Sequence, residues 1–328
     1  MFVRLSINAL LFLLIAVPAS SLAKPGKNLS LTIIPIEHFL PENRKQIIFG
    51  ELEFLGGLVV TSDHEDFGGV SGFRFLENTN NFLAVTDEGK WISGTLERKA
   101  SRPTGVTNSR LGTLRKANGK KLKGKQNADA EGLEVIDQQI LISFERNHRI
   151  EHYSWQNRML QQTPGLQTIE LNGFALEKNH GPEAIAYLRE TGELFVFPEG
   201  SIAGNDLFRG FIVHGKDVSE IYLANNNPFK PTDAVFRNDG NMILLERHYN
   251  PLAGVSMRIR EFEKDNLTSG AHLSGKVLIQ AGWKHQIDNM EALALSKMED
   301  GSTRLTIISD NNFSVLQRTL LLEFRLPN

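Results

Sequence analysis

Cysteine is absent from this 328-residue chain, so neither disulfides nor a Cys-ligated metal can stabilise its fold. Histidines at zinc-binding spacing are also lacking, which argues against a zinc site. Neither familiar phosphate-binding glycine loop occurs, and the G-x-S-x-G elbow of serine hydrolases is missing. The formal net charge is only −2, so no global field draws the protein to nucleic acid or to an anionic membrane.

The one long apolar run lies at the N-terminus, from Ile7 to Val17, after Arg4 and before the small residues Ser21 and Ala23. This pattern is typical of a secretory signal peptide, and we predict one at residues 1–23, too short for a spanning helix. Export without disulfides suits a bacterial periplasm. We therefore expect a periplasmic or secreted protein with no membrane span and no nucleic-acid partner.

Helical periodicity is weak, because the apolar runs are short and rich in Val, Ile and Phe. Instead, one pattern recurs about five times, about 50 to 60 residues apart: an acidic or small residue, an apolar strand, a turn, a second strand and another acidic residue. The copies begin at Gly69-Val70-Ser71, Asp129-Ala130-Glu131, Gly181-Pro182-Glu183, Pro231-Thr232-Asp233 and Asp288-Asn289-Met290-Glu291. Four-stranded units repeated around an axis predict an all-β fold, a β-propeller.

The two ends of the chain complement each other. The last unit has three clear strands, at 292–295, 305–308 and 320–324, and the N-terminal strand 55–60 has no complete unit of its own. Pairing these ends would close the ring and remove two exposed edges, whereas a solenoid would need capped ends. The motif copies indicate five blades and the chain length indicates six. We predict an N-terminal extension at 24–46 and a single propeller domain at 47–328.

Acidic residues open the innermost strand of each unit and close the strand that runs back beside it. Both positions should therefore lie at the same end of a blade, and the ring should gather them around one mouth of its channel. The acids concerned are Asp66, Asp87, Glu88, Asp129, Glu131, Glu145, Glu183, Glu199, Asp233, Glu246, Asp288, Glu291 and Asp310, and Asn147, Asn289 and Asn311 add neutral oxygens.

So many carboxylates cannot all stay ionised without compensation, because like charges raise one another's pKa. Bound calcium is one remedy, since Ca²⁺ takes about six to eight oxygen ligands in irregular geometry. Pairing with arginines and backbone amides is the other, and a single repeated acid is more often a feature of the fold than a catalyst. We predict metal ligands among Asp87, Glu88, Asp129, Glu131, Glu145, Glu183, Glu199, Asp233, Glu246, Glu291 and Asp310.

Positions that break the repeat are better candidates for catalysis, because a structural need should be equal in every blade. Arg146 and Arg247 each follow a strand-end acid, His180 lies just before Glu183, and His248 follows Arg247. We predict catalytic roles for these two arginines and two histidines. Each histidine is equally compatible with a half-exposed loop imidazole.

A cluster of cations precedes Asp129 in a stretch that also contains Gly and Asn. It consists of Arg110, Arg115, Lys116, Lys120, Lys121, Lys123 and Lys125. The pattern favours a solvated loop. The alternative is a basic flap over the channel mouth, which would suit a small anionic or phosphorylated substrate.

These segments, taken in order, resemble the bacterial family of phytase-like exported proteins called esterase-like activity of phytase. The matching pieces are Phe67-Gly68-Gly69-Val70-Ser71-Gly72, Thr86-Asp87-Glu88-Gly89-Lys90-Trp91, Asp129-Ala130-Glu131-Gly132-Leu133, Phe144-Glu145-Arg146, Gly181-Pro182-Glu183-Ala184, Leu245-Glu246-Arg247, Asn289-Met290-Glu291-Ala292-Leu293 and Ser309-Asp310-Asn311-Asn312-Phe313. The resemblance covers about residues 50 to 326 and implies a propeller-like domain whose many acids indicate phosphoesterase chemistry. Ala184 and Ala292 stand where many relatives have glycine, which narrows the approach of a ligand to the backbone.

We therefore hypothesise an exported, calcium-dependent phosphoesterase that uses a metal-activated water. Carboxylates would hold the ion, Arg146 and Arg247 would bind phosphoryl oxygens, and His180 or His248 would protonate the leaving group. We expect a monomer, and phytate is disfavoured because its many phosphates need a denser set of cations. Two alternatives stay open: a non-catalytic propeller that binds a partner protein or an envelope glycan, and a lactonase or glycosidase.

Overall fold

A computed structural model describes residues 26–76, 79–156, 158–171, 176, 180–200, 207–224 and 228–327. The predicted signal peptide at 1–23 lies outside the described residues. Within them the regular secondary structure is almost entirely β, with one α-helical turn, α1 (Lys125–Ala128), and one 3-10 turn (Lys264–Asn266). None of the helices in the described ranges has the length and apolar character needed to cross a membrane.

The strands follow one another in short, apolar stretches. The first are β1 (Lys27–Asn28), β2 (Thr32–Ile36), β3 (Ile48–Phe49), β4 (Leu52–Thr61), β5 (Val70–Phe75), β6 (Asn81–Thr86), β7 (Lys90–Lys99), β8 (Arg102–Thr113), β9 (Ala130–Ile136), β10 (Gln139–Phe144), β11 (Arg149–Gln156), β12 (Met159–Gln162) and β13 (Ile169–Glu170). The others are β14 (Pro182–Leu188), β15 (Glu193–Pro198), β16 (Leu207–His214), β17 (Asp217–Ala224), β18 (Lys230–Phe236), β19 (Met242–Asn250), β20 (Gly254–Phe262), β21 (His272–Leu273), β22 (Lys276–Ala281), β23 (Asn289–Lys297), β24 (Thr303–Asp310) and β25 (Thr319–Arg325).

Five sheets form the blades. Blade 1 has the strand order β1-β8-β7-β6-β5, blade 2 has β12-β11-β10-β9 with β13 on β11, blade 3 has β14-β15-β16-β17-β21, blade 4 has β18-β19-β20-β22, and blade 5 has β2-β4-β25-β24-β23 with β3 on β4. The innermost strands β5, β9, β14, β18 and β23 contact one another in this order, and β23 returns to β5. The described chain is therefore a five-bladed β-propeller. The all-β prediction is confirmed, and the six-blade alternative drawn from chain length is wrong.

Blade 5 closes the ring with both ends of the chain, as the sequence predicts. Strand β4 pairs antiparallel with β25, with Leu58 opposite Leu321. Residues of the predicted extension also join the sheets, because β1 pairs with β8 and β2 pairs with β4. This pairing covers strand edges that would otherwise be exposed.

The hydrophobic core consists of five layers, one between each pair of adjacent blades. Between blades 1 and 2, for example, the buried Trp91 packs with Leu133 and Phe144, and its ring meets Trp155 edge-on at 5.1 Å. Each layer packs two adjacent blades against each other, so burial of these apolar side chains fixes the positions of the blades. The strand ends around the channel are outside these layers and carry polar residues.

A β-bulge interrupts the start of the innermost strand pair in every blade. The extra residue is Glu183 in blade 3 and Glu291 in blade 5, and in blade 2 Glu131 and Gly132 together lie opposite Ser143. Ser71 and Thr232 hold the same place in blades 1 and 4. A bulge re-aims a side chain out of the regular alternation, so three glutamates share one special backbone position near the channel.

Candidate metal centre at the acidic mouth

Bulges and strand ends bring carboxylates together at one mouth of the channel. We call this set the acidic mouth: Asp87, Glu88, Asp129, Glu131, Glu145, Glu183, Glu199, Glu291 and Asp310. Electrostatic repulsion links its members around the ring, from Asp129 and Glu145 to Glu131, then to Glu183, Glu291, Asp310 and Asp87.

The tightest group is a triad in blade 2. Carboxylate oxygens of Asp129, Glu131 and Glu145 all lie within 4.8 Å of one another. The Asp129 side chain is 1% exposed, and its buried Oδ1 has no hydrogen-bond partner. Calcium holds oxygens at about 2.3–2.6 Å, so two of its ligands lie at most about 5 Å apart. The triad could therefore bind a metal, and its spacing and all-oxygen character fit calcium.

Burial and mutual repulsion shift the pKa values of these carboxyls upward. Burial, followed by the charge of Asp129, raises the pKa of Glu145 to about 7. Burial, followed by the charge of Glu183, raises the pKa of Glu131 well above its ordinary range. Burial, followed by the charge of Glu199, does the same to the pKa of Glu183. Without a bound cation, part of the acidic mouth therefore holds protons near neutral pH.

Two cations of the chain lie beside the triad. Arg146 donates from Nε to Asp129 Oδ2 at 2.6 Å, and its backbone has a φ of 63°, in the left-handed region that L-residues rarely adopt. Strain of this kind clusters at functional sites. Lys125, on α1, places Nζ 2.8 Å from Asp87 Oδ2 and 3.6 Å from Asp129 Oδ1. The last cation of the predicted basic stretch thus reaches the acidic mouth.

The opposite side of the acidic mouth is organised around Arg247 of blade 4. Its guanidinium lies 3.1 Å from Glu291 and 3.6 Å from Glu199, and it donates to Asn289 Oδ1 at 3.0 Å. Lys230 adds a second cation 3.3 Å from Glu199. Burial, with repulsion from Asp310 and Glu199, outweighs the attraction of Arg247 and raises the pKa of Glu291 to about 7.

Some strand-end acids also tie one blade to the next. Asp310 of blade 5 accepts a hydrogen bond from the backbone N–H of Val70 in blade 1 at 3.1 Å. The carboxylate of Glu145 in blade 2 accepts one from Gly181 in blade 3. A Cβ at position 181 would lie 2.7 Å from Glu145 Cγ, so glycine permits this approach. Members of the acidic mouth therefore also accept hydrogen bonds from backbone amides of the neighbouring blade.

Two of the predicted ligands are held elsewhere. Both oxygens of the fully buried Asp233 accept hydrogen bonds from Arg74, at 2.7 and 2.9 Å. Glu246, also fully buried, pairs with Arg258 and Arg260 on the neighbouring strand β20. The structure does not bring these two carboxylates together with the triad.

Of the two predicted catalytic histidines, one lies at the acidic mouth and the other does not. His180 is half-buried at the acidic mouth, next to Gly181 and packed against Gly200. His248 follows Arg247 on β19 and so points to the other face of the sheet, where its ring lies 5.8 Å from the ring of Phe229.

The other predicted acids lie in ion pairs around the mouth. Asp66 pairs with Lys90 and Asp288 with Arg318. Glu88 is the most exposed acid of the mouth and lies 3.8 Å from Lys125.

Sequence reasoning missed Arg74 and Lys230. Arg74 is a single cation inside the otherwise uncharged strand β5, which is a usable signal, because a charged residue in such a strand needs a buried partner. Lys230 carries no comparable signal, because it stands at a strand start like many exposed lysines.

Comparison with known proteins identifies the family. The family model Phytase-like, described as esterase-like activity of phytase, matches residues 65–313. The chain belongs to this family. The match includes strands of all five blades and every member of the acidic mouth.

Other comparisons add less. No curated protein gives a significant match. Similar solved structures include a chain of a nidogen/laminin complex (12% identity, 85% of this chain and 88% of that chain, TM-score 0.44) and Kuenenia stuttgartiensis hydrazine synthase (8%, 77% and 70%, 0.40). Another is glutaminyl cyclase from Myxococcus xanthus (11%, 93% and 100%, 0.41). No conclusion about this phytase-like chain follows from TM-scores this low.

Proposed function

We propose that this phytase-like propeller is an exported, calcium-dependent phosphoesterase whose active site is the acidic mouth. The observation that carries the proposal is the triad of Asp129, Glu131 and Glu145, in which the buried Oδ1 of Asp129 has no hydrogen-bond partner. A bound cation would compensate the charge of an acidic cluster inside a channel mouth, and a metal beside accessible arginines suits a phosphate ester.

Calcium would be held by the triad, with Asp87 and Glu183 as further oxygen donors nearby. When bound, it would supply positive charge that stabilises the negative charge developing on the phosphoryl oxygens. The carboxylates must lose their protons to bind it, so binding and deprotonation are coupled.

Arg146 and Arg247 supply the donors for the phosphoryl group. Their side chains are 32% and 29% exposed, so both guanidiniums can be reached from solvent while their carboxylate partners fix their orientation. Guanidinium groups match phosphate oxygens in a two-pronged geometry, which positions the ester. Hydrolysis adds water to phosphorus and breaks the bond to the ester oxygen, and His180 would protonate that leaving oxygen.

The substrate class follows from the number of cations. Lys125, Arg146, Lys230 and Arg247 lie in contact with acidic-mouth carboxylates, and all four are partly neutralised there. This supply suits a small ester with one phosphate better than a polyphosphate.

A non-catalytic propeller is the second candidate. The observation that favours it is the pairing of the acids with the chain's own arginines, lysines and backbone amides, which can neutralise the mouth without a metal. In that case the acidic mouth would be a binding surface for a cationic partner.

Turnover of a chromogenic phosphate monoester decides between them. We expect hydrolysis by the wild type that a calcium chelator abolishes and added calcium restores. Asp129→Asn should lower kcat/KM by about 100-fold or more, because it removes a ligand charge. Asp137→Asn is the matched control, since Asp137 is an exposed carboxylate at the opposite end of blade 2. No turnover with calcium present would favour the non-catalytic propeller.

Export has its own test. Segment 1–23 would direct secretion, and the mature protein recovered from a periplasmic fraction should begin near Lys24. Recovery of the uncleaved chain in the cytoplasm would contradict this part of the proposal.

A further inference from the structure

Large apolar side chains are exposed beside the acidic mouth. Three loops, 249–254, 282–287 and 311–318, adjoin the mouth-side strand ends of blades 4 and 5. Together they carry the apolar rim, which we define as Tyr249, Leu252, Trp283, Phe313, Val315 and Leu316. Leu252, Val315 and Leu316 are almost completely exposed, at 99%, 101% and 89%. Clustered apolar surface of this kind marks an interaction site.

Contacts join the three loops into one surface that reaches the acidic mouth. Trp283 Cβ lies close to Gly254, at the tip of the β19–β20 hairpin. Arg318 donates to Gln286 and to the carbonyl of Ile287, which joins the second loop to the third. Phe313 packs over Gly69, which also lies directly against Asp87. Phe313 therefore joins the loops of the apolar rim to the candidate site.

Charge separates the rim from the mouth. None of the three loops contains Asp or Glu, whereas they carry Lys284 and also Arg318, which pairs with the flanking Asp288. Lys284 is exposed and places Nζ 5.5 Å from the ring centre of Trp283. A cation beside an exposed Trp is complementary to a phosphate group above an apolar layer, which is the arrangement of a lipid headgroup.

The shape of the rim favours a fluid surface over a folded protein. Strand β19 continues three residues past Arg247 to Asn250, roughly 10 Å along the strand, before its hairpin turns. A partner that buries the exposed leucines of such projecting loops must surround each side chain on several sides. Lipid headgroups and acyl chains do so readily, and Trp and Tyr are the aromatic residues found at that boundary.

We propose that the apolar rim docks the propeller on a phospholipid bilayer and holds the acidic mouth at the level of the headgroup phosphates. The docking stands on the rim alone. Its consequence rests on the proposed function: the substrate would be a phosphate ester of a lipid, in which water adds to phosphorus and the ester oxygen leaves with a proton.

Vesicles of phosphatidylcholine test the docking without turnover. Trp91 is buried and Trp155 half-buried, so a blue shift in emission on adding vesicles reports mainly on Trp283, which is 68% exposed. We expect the wild type to sediment with vesicles and to show this shift. The triple variant Leu252→Ser, Val315→Ser, Leu316→Ser should bind at least about tenfold more weakly, because three apolar side chains no longer enter the bilayer.

Exposed apolar residues at the opposite end of the blades provide a matched control. Ile48→Ser, Val218→Ser, Val277→Ser changes three side chains that are 52%, 38% and 46% exposed, and should leave vesicle binding unchanged. Melting temperatures of both triple variants check folding. The proposal would be overturned if the wild type neither sediments with vesicles nor shows the emission shift, or if the rim variant binds vesicles as tightly as the wild type. Hydrolysis of a water-soluble ester, measured in parallel, shows separately whether the site is catalytic.

Discussion

The guanidinium of Arg74 forms a two-pronged ion pair with the carboxylate of Asp233, with Nη1–Oδ2 at 2.7 Å and Nη2–Oδ1 at 2.9 Å. Arg74 belongs to blade 1 and Asp233 to blade 4, which are not adjacent. The same guanidinium donates to backbone carbonyls of Ile185 in blade 3 and Leu293 in blade 5. One buried side chain therefore joins the innermost strands at the axis of the ring.

Removing this cation should destabilise the whole ring. We predict that Arg74→Met lowers the free energy of unfolding by about 3–5 kcal/mol, because Asp233 would be left as an uncompensated buried charge. Denaturant unfolding measures the change. Arg189→Met is the control, since Arg189 pairs with Asp137 at the surface, where such pairs contribute at most about 1 kcal/mol. Equal losses in the two variants would contradict the role given to Arg74.

Lys125 should compete with a divalent cation for the acidic mouth. Its ammonium lies beside Asp87, Glu88 and Asp129, so removing it leaves more negative charge for calcium. We predict that Lys125→Met raises calcium affinity by about three- to tenfold, an energy of about 1 kcal/mol. Calorimetric titration measures this affinity, and Lys123→Met serves as a control in the same basic stretch. Weaker calcium binding by Lys125→Met would show that the lysine supports the site.

Arginine geometry at the acidic mouth should matter beyond its charge. Arg146→Lys and Arg247→Lys keep the positive charge but lose the planar fork that binds phosphate oxygens. We predict a decrease in kcat/KM of about tenfold or more for each variant on a phosphate monoester. Arg189→Lys, far from the mouth, should leave kcat/KM unchanged. Full activity of both mouth variants would mean that neither guanidinium touches the phosphoryl group.

Stability without calcium should depend on pH with a definite sign. Glu145 and Glu291 have folded-state pKa values of about 7, above the ordinary value near 4.5 that they regain on unfolding. The contribution of these two carboxyl groups to the free energy of unfolding is fully present below about pH 4.5. It is lost as the pH rises to about 7. We predict that the melting temperature of chelator-treated protein falls over this window, and that calcium, which binds the ionised carboxylates, opposes the fall.

A variant isolates this contribution from other titrations. Glu291→Gln should flatten part of the decline between pH 4.5 and 7, whereas Glu42→Gln, at an exposed position, should not. A melting temperature of the wild type that rises steadily across this window, with no difference in Glu291→Gln, would contradict the assignment.

The sequence predicts much of this architecture, because repetition carries long-range information. Five motif copies give five blades, and the incomplete terminal units predict the closure between β4 and β25. Antiparallel pairing within one unit also explains why Asp129 and Glu145, far apart in a linear reading, meet at the acidic mouth. These outcomes need only the order and period of strands.

Other features depend on packing that no single repeat displays. Glu246 fits the motif, yet strand alternation turns it toward Arg258 and Arg260, while the next residue, Arg247, faces the mouth. Thr232 takes the bulge position in blade 4, so Asp233 lies one residue beyond it and turns to Arg74. To predict that Asp233 faces away from the mouth, one must know the register of the bulge in blade 4 and the position of Arg74 in blade 1. Neither can be read from a single repeat, because both depend on how the five blades pack.

Calcium-dependent thermal unfolding examines the metal centre itself. Chelator-treated wild type and Asp129→Asn are melted with and without calcium, and Asp137→Asn is the folded control. We predict that saturating calcium, at about 100 times its Kd, stabilises the wild type by about 2.7 kcal/mol and raises its melting temperature by several degrees. Asp129→Asn should show little or no such increase. Identical melting temperatures of wild type with calcium and with chelator would contradict a metal centre at the acidic mouth.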